Sequence, residues 1–244
     1  MKILGNTVLI TGGGSGIGLA LAEALLGRKN EVIICGRYRE RLQAAKKHLP
    51  EIHIRVYDVS VARSRHALVD WLLSGFKDLN LLVNNAGIQR SVDFLKGPRD
   101  LADADEEIAT NLTAPIHLSA LLIPHLRRKK EAAIVNISSG LAFTPLAAVP
   151  VYCATKAAVH SLSLCLRHQL RDTSVRVFEV VPPMVSTGLA GTRKRPEETE
   201  YTMSAEAVAV GILDALEKNV DEVTLGAAAN LRAQREALFK AING

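Results

Sequence analysis

The chain has 244 residues, 48% hydrophobic and 23% charged, a balance that excludes wholesale disorder and permits a sizeable core without disulfides or structural metal. Its net charge of +5 is scattered over short clusters (Arg37-Arg39-Arg41, Arg127 to Lys130, Arg193 to Arg195), and aromatics are only 4%, so it reads as solvated surface and no nucleic-acid partner is expected. Cys35, Cys153 and Cys165 have no metal-ligand spacing, the N-terminus lacks a signal-peptide pattern, and the uncharged stretches Ile108 to Leu126 and Ala132 to Thr155 carry prolines and polar residues unsuited to a membrane span; a cytoplasmic protein with no metal is expected.

Short β-branched runs alternate with helix-period segments. Thr7 to Thr11 predicts a buried strand, followed by a glycine turn and a helix from about Gly16 to Arg28. Glu31 to Cys35 predicts a second strand, and Arg39 to Leu49 a helix stopped by Pro50. Strands at Ile52 to Val56 and Leu79 to Asn84 flank a helix near Ala62 to Ser74. A long helix is expected from Asp103 to Arg128, bent at Pro115. Ala133 to Ser138, a helix from Val151 to Arg171, and Val175 to Val181 follow. This alternation predicts an α/β fold, a doubly wound parallel sheet of about seven strands with helices on both faces, in one domain spanning 1–244.

Past Val181 the pattern loosens. Pro182 to Glu200 predicts a mobile loop near the substrate. Ser204 to Lys218 predicts an amphipathic helix with Ser204 as N-cap, and Glu222 to Leu225 a last short strand. A terminal helix is expected from Asn230 to Ile242.

Four groups of residues carry chemistry. The first strand ends in Thr11-Gly12-Gly13-Gly14-Ser15-Gly16-Ile17-Gly18 and leads directly into a helix. Glycines allow a tight turn and close approach to a pyrophosphate, which the helix N-terminus attracts. Asn84-Asn85-Ala86-Gly87 closes the fourth strand and faces the same crevice, where its amides could brace neighbouring backbone. Tyr152 and Lys156 lie four apart on one helix face, where an ammonium stabilises a phenolate and lowers the phenol pKa from about 10. Ser139 stands 13 residues before Tyr152, within reach of the same substrate oxygen; Ser138 is the neighbouring alternative.

Taken together, Thr11-Gly12-x-x-x-Gly16-Ile17-Gly18, Asn84-Asn85-Ala86-Gly87, Asn111, Ser139 and Tyr152-x-x-x-Lys156 resemble the short-chain dehydrogenase/reductase superfamily over about residues 5 to 225. The stretches NNAGIQR, SSGLAFTPLAA, PVYCATKAA and VVPPMVST are similar to its DltE-like oxidoreductases. The resemblance implies a Rossmann-like fold and hydride transfer between a nicotinamide and a carbonyl or alcohol. It makes Tyr152 the general acid/base and gives Lys156 the tyrosine pKa and the ribose hydroxyls. Ser139 would orient the substrate carbonyl, and Asn111 would hold a water of the proton relay. Gly12, Ser15, Gly16, Ile17 and Gly18 would cradle the cofactor, Asp58 and Val59 would bracket its adenine, and Asn85, Ala86 and Gly87 would line the crevice. Pro182, Val185 and Thr187 would meet its nicotinamide end, although Pro183 stands where the family usually has Gly.

An NAD enzyme usually places a carboxylate after the second strand. Here Cys35-Gly36-Arg37 offers an arginine fork suited to a 2′-phosphate, so NADP(H) is favoured, with NAD(H) still open. Leu141, Phe143, Pro145, Val149 and Met184 are expected to line a mostly apolar substrate pocket. Arg90 reads as surface ion pairing and His160 as helix packing. Relatives pair the helices corresponding to Asp103–Arg128 and Val151–Arg171, implying a homodimer or homotetramer, with Leu162, Leu166 and Leu170 as a candidate stripe. Two other readings are a nucleotide-binding regulatory protein of the same fold with little turnover and a sugar epimerase or dehydratase. The Asn111, Ser139, Tyr152, Lys156 set argues against the first, and the short run after the last strand against the second.

Overall fold

The computed structural model describes residues 1–189 and 201–244. In chain order the first half comprises β1 (Thr7–Thr11), α1 (Gly16–Leu26), β2 (Glu31–Gly36), α2 (Arg39–His48), β3 (His53–Val56), α3 (Ala62–Gly75) and β4 (Leu79–Asn84). Next come α4 (Ala104–Ile108), α5 (Ala114–Leu126), β5 (Ala132–Ile137), α6 (Pro150–Leu170) and β6 (Val175–Val181). Short β7 (Met184–Val185) pairs with β8 (Thr202–Met203), and α7 (Ala205–Lys218), β9 (Glu222–Thr224), α8 (Ala228–Gln234) and α9 (Phe239–Asn243) follow.

Seven strands make one parallel sheet in the order β3-β2-β1-β4-β5-β6-β9. The period-2 alternation of strand side chains divides the core into two layers. Val8 and Ile10 of β1 face the layer containing α1, α2 and α7, whereas Leu9 faces the layer containing α3, α5 and α6. Strand β1 lies between β2 and β4, so the chain winds outward in both directions from it. The crevice beyond the carboxyl ends of β1 and β4 is the switch point where such sheets bind ligands. Among the described residues no helix is long and apolar enough to cross a membrane.

Several sequence expectations are corrected. The long helix from Asp103 to Arg128 is divided into α4 and α5 by one π turn, Ala109–Thr113, in which the Ala114 N–H reaches back five residues to the Ala109 carbonyl. Pro115 sits in the first turn of α5, where a missing N–H does little harm, so the π turn rather than a proline bend is the irregularity. The terminal helix is also broken: α8 stops at Gln234, Arg235 takes φ +50°, and a 3₁₀ turn precedes α9. Leu166 and Leu170 pack into the chain's own core, leaving Leu164 as the exposed large hydrophobic residue of α6. The Ser204 cap is as expected, its hydroxyl accepting from the Ala207 N–H at 3.1 Å. Of the loop expected at Pro182 to Glu200, residues 190–200 lie outside the described residues, including the basic triplet.

Candidate active site

The turn after β1 is fixed by its own backbone and by β4. The Gly12 N–H donates to the Cys35 carbonyl at 2.8 Å, and Gly12 has φ +67°. A Cβ there would lie 2.8 Å from Ala86 Cα, so only glycine lets β1 and β4 close together at the crevice. Thr11 Oγ1 accepts from the Asn85 and Ala86 N–H groups, both at 3.0 Å, while the Asn85 amide donates to the Thr11 carbonyl at 2.9 Å. The Asn-Asn-Ala-Gly segment therefore braces the glycine turn. A Cβ on Gly18 would meet Asn85 Nδ2 at 2.5 Å and the Gly12 carbonyl at 2.7 Å.

Ser15 stands at the N-cap of α1 in extended backbone, without a side-chain cap bond, and the first turn contains no acidic residue. Its free donors and dipole favour an anion. Thr187 lies against Gly16, where a Cβ would come 3.0 Å from Thr187 Cγ2, and the Pro182 carbonyl accepts from the Gly140 N–H at 3.1 Å. The segment after β6 thus reaches both the α1 N-terminus and the end of β5. Val185 packs against the core layer of α1. Asp58 Oδ1 accepts from the Ser60 N–H and hydroxyl at 2.9 and 2.7 Å, and the Val59 side chain is buried in the core.

Arg37, just past β2, is ion-paired with Glu106 of α4. The other oxygen of Glu106 holds Arg90 Nη2 at 2.6 Å, and Arg90 Nε lies 3.4 Å from Asp103. Arg90 is therefore an ion-pairing residue, as its sequence reading has it. Arg90 first and Arg37 second hold the Glu106 carboxyl below its usual range, against the effect of desolvation.

At the end of β5, two adjacent serines face different partners. Ser138 donates to Glu179 Oε1 at 2.6 Å inside the core, whereas Ser139 Oγ accepts from the Leu141 N–H at 3.1 Å. Tyr152 is 6% exposed and Lys156 4% exposed, and Lys156 Nζ lies 5.6 Å from the Tyr152 ring centroid while donating to the Ile137 carbonyl at 2.8 Å. Burial lowers the Lys156 pKa to about 8, opposed by the charges of Glu107 and Glu179. Burial pushes the Tyr152 phenol up, with Ser139 pulling the other way. Desolvation is the largest influence on the phenol, against the expectation of a phenol lowered toward working pH by Lys156, and the opposing influence is the Ser139 hydrogen bond.

Asn111 lies in the π turn, with its amide fully engaged. It accepts from the Ile88 N–H at 2.9 Å and donates to the Ile88 carbonyl at 2.8 Å and to Thr155 Oγ1 at 3.2 Å. Since Pro115 has no N–H, the Asn111 carbonyl receives no helical i+4 bond.

The family model described as short chain dehydrogenase matches residues 6–198. The chain belongs to the short-chain dehydrogenase family. It is 52% identical over 248 residues, covering 100% of this chain and 98% of the relative, to the uncharacterized oxidoreductase DltE of Bacillus subtilis (strain 168). A short chain dehydrogenase from Burkholderia cenocepacia J2315, solved in complex with NADP, superposes with a TM-score of 0.84 at 28% identity, covering 99% of each chain. A short chain dehydrogenase/reductase from Burkholderia phymatum, in complex with NAD, shares the fold with a TM-score of 0.85 at 24% identity, over 100% of this chain and 97% of that one. With the family comes the class of activity, an NAD(P)-dependent dehydrogenase/reductase.

In this short-chain dehydrogenase, residues that the motifs do not reveal contact the candidate site. Glu106 was hidden because its partner Arg37 is 69 residues away. Thr155 fixes Asn111, and Leu146 joins Leu141, Val149, Tyr152 and Cys153 in an apolar cluster around the phenol. Of the expected pocket residues, Phe143 packs with Val181 and Ala228 and stacks edge-on against His160, while Met184 is 56% exposed. His160 does more than pack, since its Nδ1 lies 2.8 Å from the buried Glu179 carboxylate. His160, Glu179 and Glu222 approach within 4.8 Å of one another, and Ser138 and Arg232 already bond the two carboxylates.

Proposed function

We propose that this short-chain dehydrogenase is an NADP(H)-dependent carbonyl reductase or alcohol dehydrogenase with Tyr152 as its general acid and base. The observation carrying this reading is the gathering of Ser139, Tyr152 and Lys156 at the end of β5, beside the crevice at the β1–β4 switch point. The free donors at the α1 N-terminus and the absence of acidic residues there fit a dinucleotide pyrophosphate. Gly12, Ser15, Gly16, Ile17 and Gly18 would hold the pyrophosphate, Asp58 and Val59 the adenine, and Asn85, Ala86 and Gly87 the crevice wall. Pro182, Val185 and Thr187 would hold the nicotinamide end. Arg37 would take the 2′-phosphate, the main support for NADP(H) over NAD(H). When bound, the nicotinamide supplies or accepts the hydride, which no side chain here can do.

In reduction, Tyr152 donates its phenolic proton to the substrate oxygen, and in oxidation it takes that proton back. A buried phenol is held as O–H, ready to act as an acid. Its conjugate phenolate then needs a nearby cation, which is the role of the Lys156 ammonium. Ser139 orients the substrate oxygen toward Tyr152, and the Asn111 carbonyl receives the relay that restores the proton. Leu141, Leu146 and Val149 beside the phenol suit a modest apolar or mixed carbonyl compound. Exposed Ile116 on α5 and Leu164 on α6 support a dimer or tetramer built on those helices.

The test is titration of the protein with NADPH and NADH, for the wild type and Arg37→Asp. Tighter NADPH binding that the substitution abolishes is the expected result. An unchanged preference in Arg37→Asp rejects the 2′-phosphate role.

A further inference from the structure

Helix α4 carries three acidic residues, and Glu107 lies next to the one that binds Arg37. Its position follows from helix geometry. Glu107, Asn111, Ala114, Leu118 and Leu122 are all buried on the row that continues from α4 through the π turn into α5. Glu107 therefore occupies a core position where an apolar side chain is usual, and it is 0% exposed. Among the described residues, neither of its carboxylate oxygens has a side-chain hydrogen-bond partner; the Arg90 backbone N–H is the strongest influence opposing its desolvation, and the hydroxyl of Thr110, one turn on, is buried and unpartnered. A bare buried carboxylate is costly unless an opposite charge compensates it.

The opposite charge is on α6, against which α4 packs. Asn111, one turn past Glu107, donates to Thr155, the residue before Lys156. The Asn111 and Lys156 head groups flank Gly87 together, since a Cβ there would lie 3.5 Å from Asn111 Oδ1 and 3.7 Å from Lys156 Nζ. The groups that face Glu107 electrostatically are Lys156, Tyr152 and Cys153 of α6 and Arg90 after β4. The other acid acting on Lys156 is Glu179, and it already bonds Ser138 and His160. Arg90, for its part, is committed to Glu106 and Asp103.

We propose that Glu107 is a positioning residue of the active site, the buried countercharge that keeps the Lys156 ammonium cationic beside the Tyr152 phenol. This inference rests on the oxidoreductase reading for its consequence, though not for the pairing itself. Lys156 loses charge as the medium becomes alkaline, and a carboxylate at Glu107 delays that loss. The alkaline limit of the reductase is therefore set by α4 as well as by the lysine.

Two arms test it. The first is a stability cycle at pH 8 with Glu107→Gln, Lys156→Met and the double variant, followed by denaturant unfolding, which requires neither cofactor nor substrate. The effect of Glu107→Gln should be more favourable in the Lys156→Met background than in the wild type by about tenfold in the folding equilibrium constant. Equal effects in both backgrounds overturn the pairing. The second arm compares pH profiles of NADPH-dependent reduction and of NADPH binding. In Glu107→Gln the alkaline limb should move to lower pH by about half a unit to one unit, and Glu107→Asp should retain it. A uniform loss at every pH with the limb unmoved overturns the proposal, leaving Glu107 a structural role. Failure of the wild type to bind either NADPH or NADH at any pH refutes the oxidoreductase reading instead, while the stability cycle still decides the pairing.

Discussion

Arg37 at the end of β2 is ion-paired across the crevice with Glu106 of α4, and the same carboxylate holds Arg90. The arginine assigned to a 2′-phosphate is thus already engaged by an anion. A phosphate must take Arg37 from Glu106 or share it against the repulsion of a second negative charge. NADH has no 2′-phosphate and does not enter that competition. In Glu106→Gln the dissociation constant for NADPH should fall about 3- to 10-fold, with that for NADH changing by less than about twofold. Parallel titrations by nucleotide fluorescence measure this, and equal changes for both nucleotides would exclude the competition.

Gly18 is fixed by crowding rather than by an unusual backbone angle. A methyl group there collides with Asn85 Nδ2 and the Gly12 carbonyl, the two groups that lock the glycine turn to β4. Gly18→Ala should destabilise the fold by about 1–3 kcal/mol and abolish nucleotide binding. Gly27, at the C-cap of the same helix with φ −56°, supplies the control, because a Cβ there meets nothing closer than 3.7 Å. Gly27→Ala should be neutral or stabilising by up to about 1 kcal/mol. Thermal unfolding and an NADPH titration of both variants separate the two cases.

Burial pushes the Glu107 carboxyl up to about 7, so the folded chain binds its proton more tightly than the unfolded chain does. The sign follows directly. The stability contributed by protonated Glu107 is fully present below the ordinary carboxylate range and is lost as pH rises toward 7 and just beyond. Relative to Glu107→Gln, the wild type should lose about 3 kcal/mol between pH 4 and pH 8. Denaturant midpoints of both proteins across that range give the difference, and parallel curves would contradict it.

Local signals account for what the sequence reveals. Strands β1, β2, β4 and β6 are apolar runs bounded by turn residues, and they lie within a residue or so of their predicted limits. Tyr152 and Lys156 were legible because a helix fixes the i,i+4 relationship. The π turn at Ala109–Thr113 was not, because the buried row positions in and just before it, Asn111 and Glu107, are polar and supply no apolar rhythm whose break would show it. Arg37–Glu106 joins residues 69 apart, and only the folded sheet brings them together. Glu107 left a trace in the sequence as an acid on the core-facing row with Asn111. The upward displacement of the Tyr152 phenol depends on burial, which no spacing encodes.

Turnover and binding measured together on Tyr152→Phe test the central claim most directly. The wild type should oxidise NADPH in the presence of a carbonyl panel biased toward apolar ketones and aldehydes. The variant should bind NADPH within about twofold of the wild type while losing at least about a thousandfold in kcat, since only the proton donor has gone. Substantial reduction by Tyr152→Phe would contradict the assignment of Tyr152 as the acid.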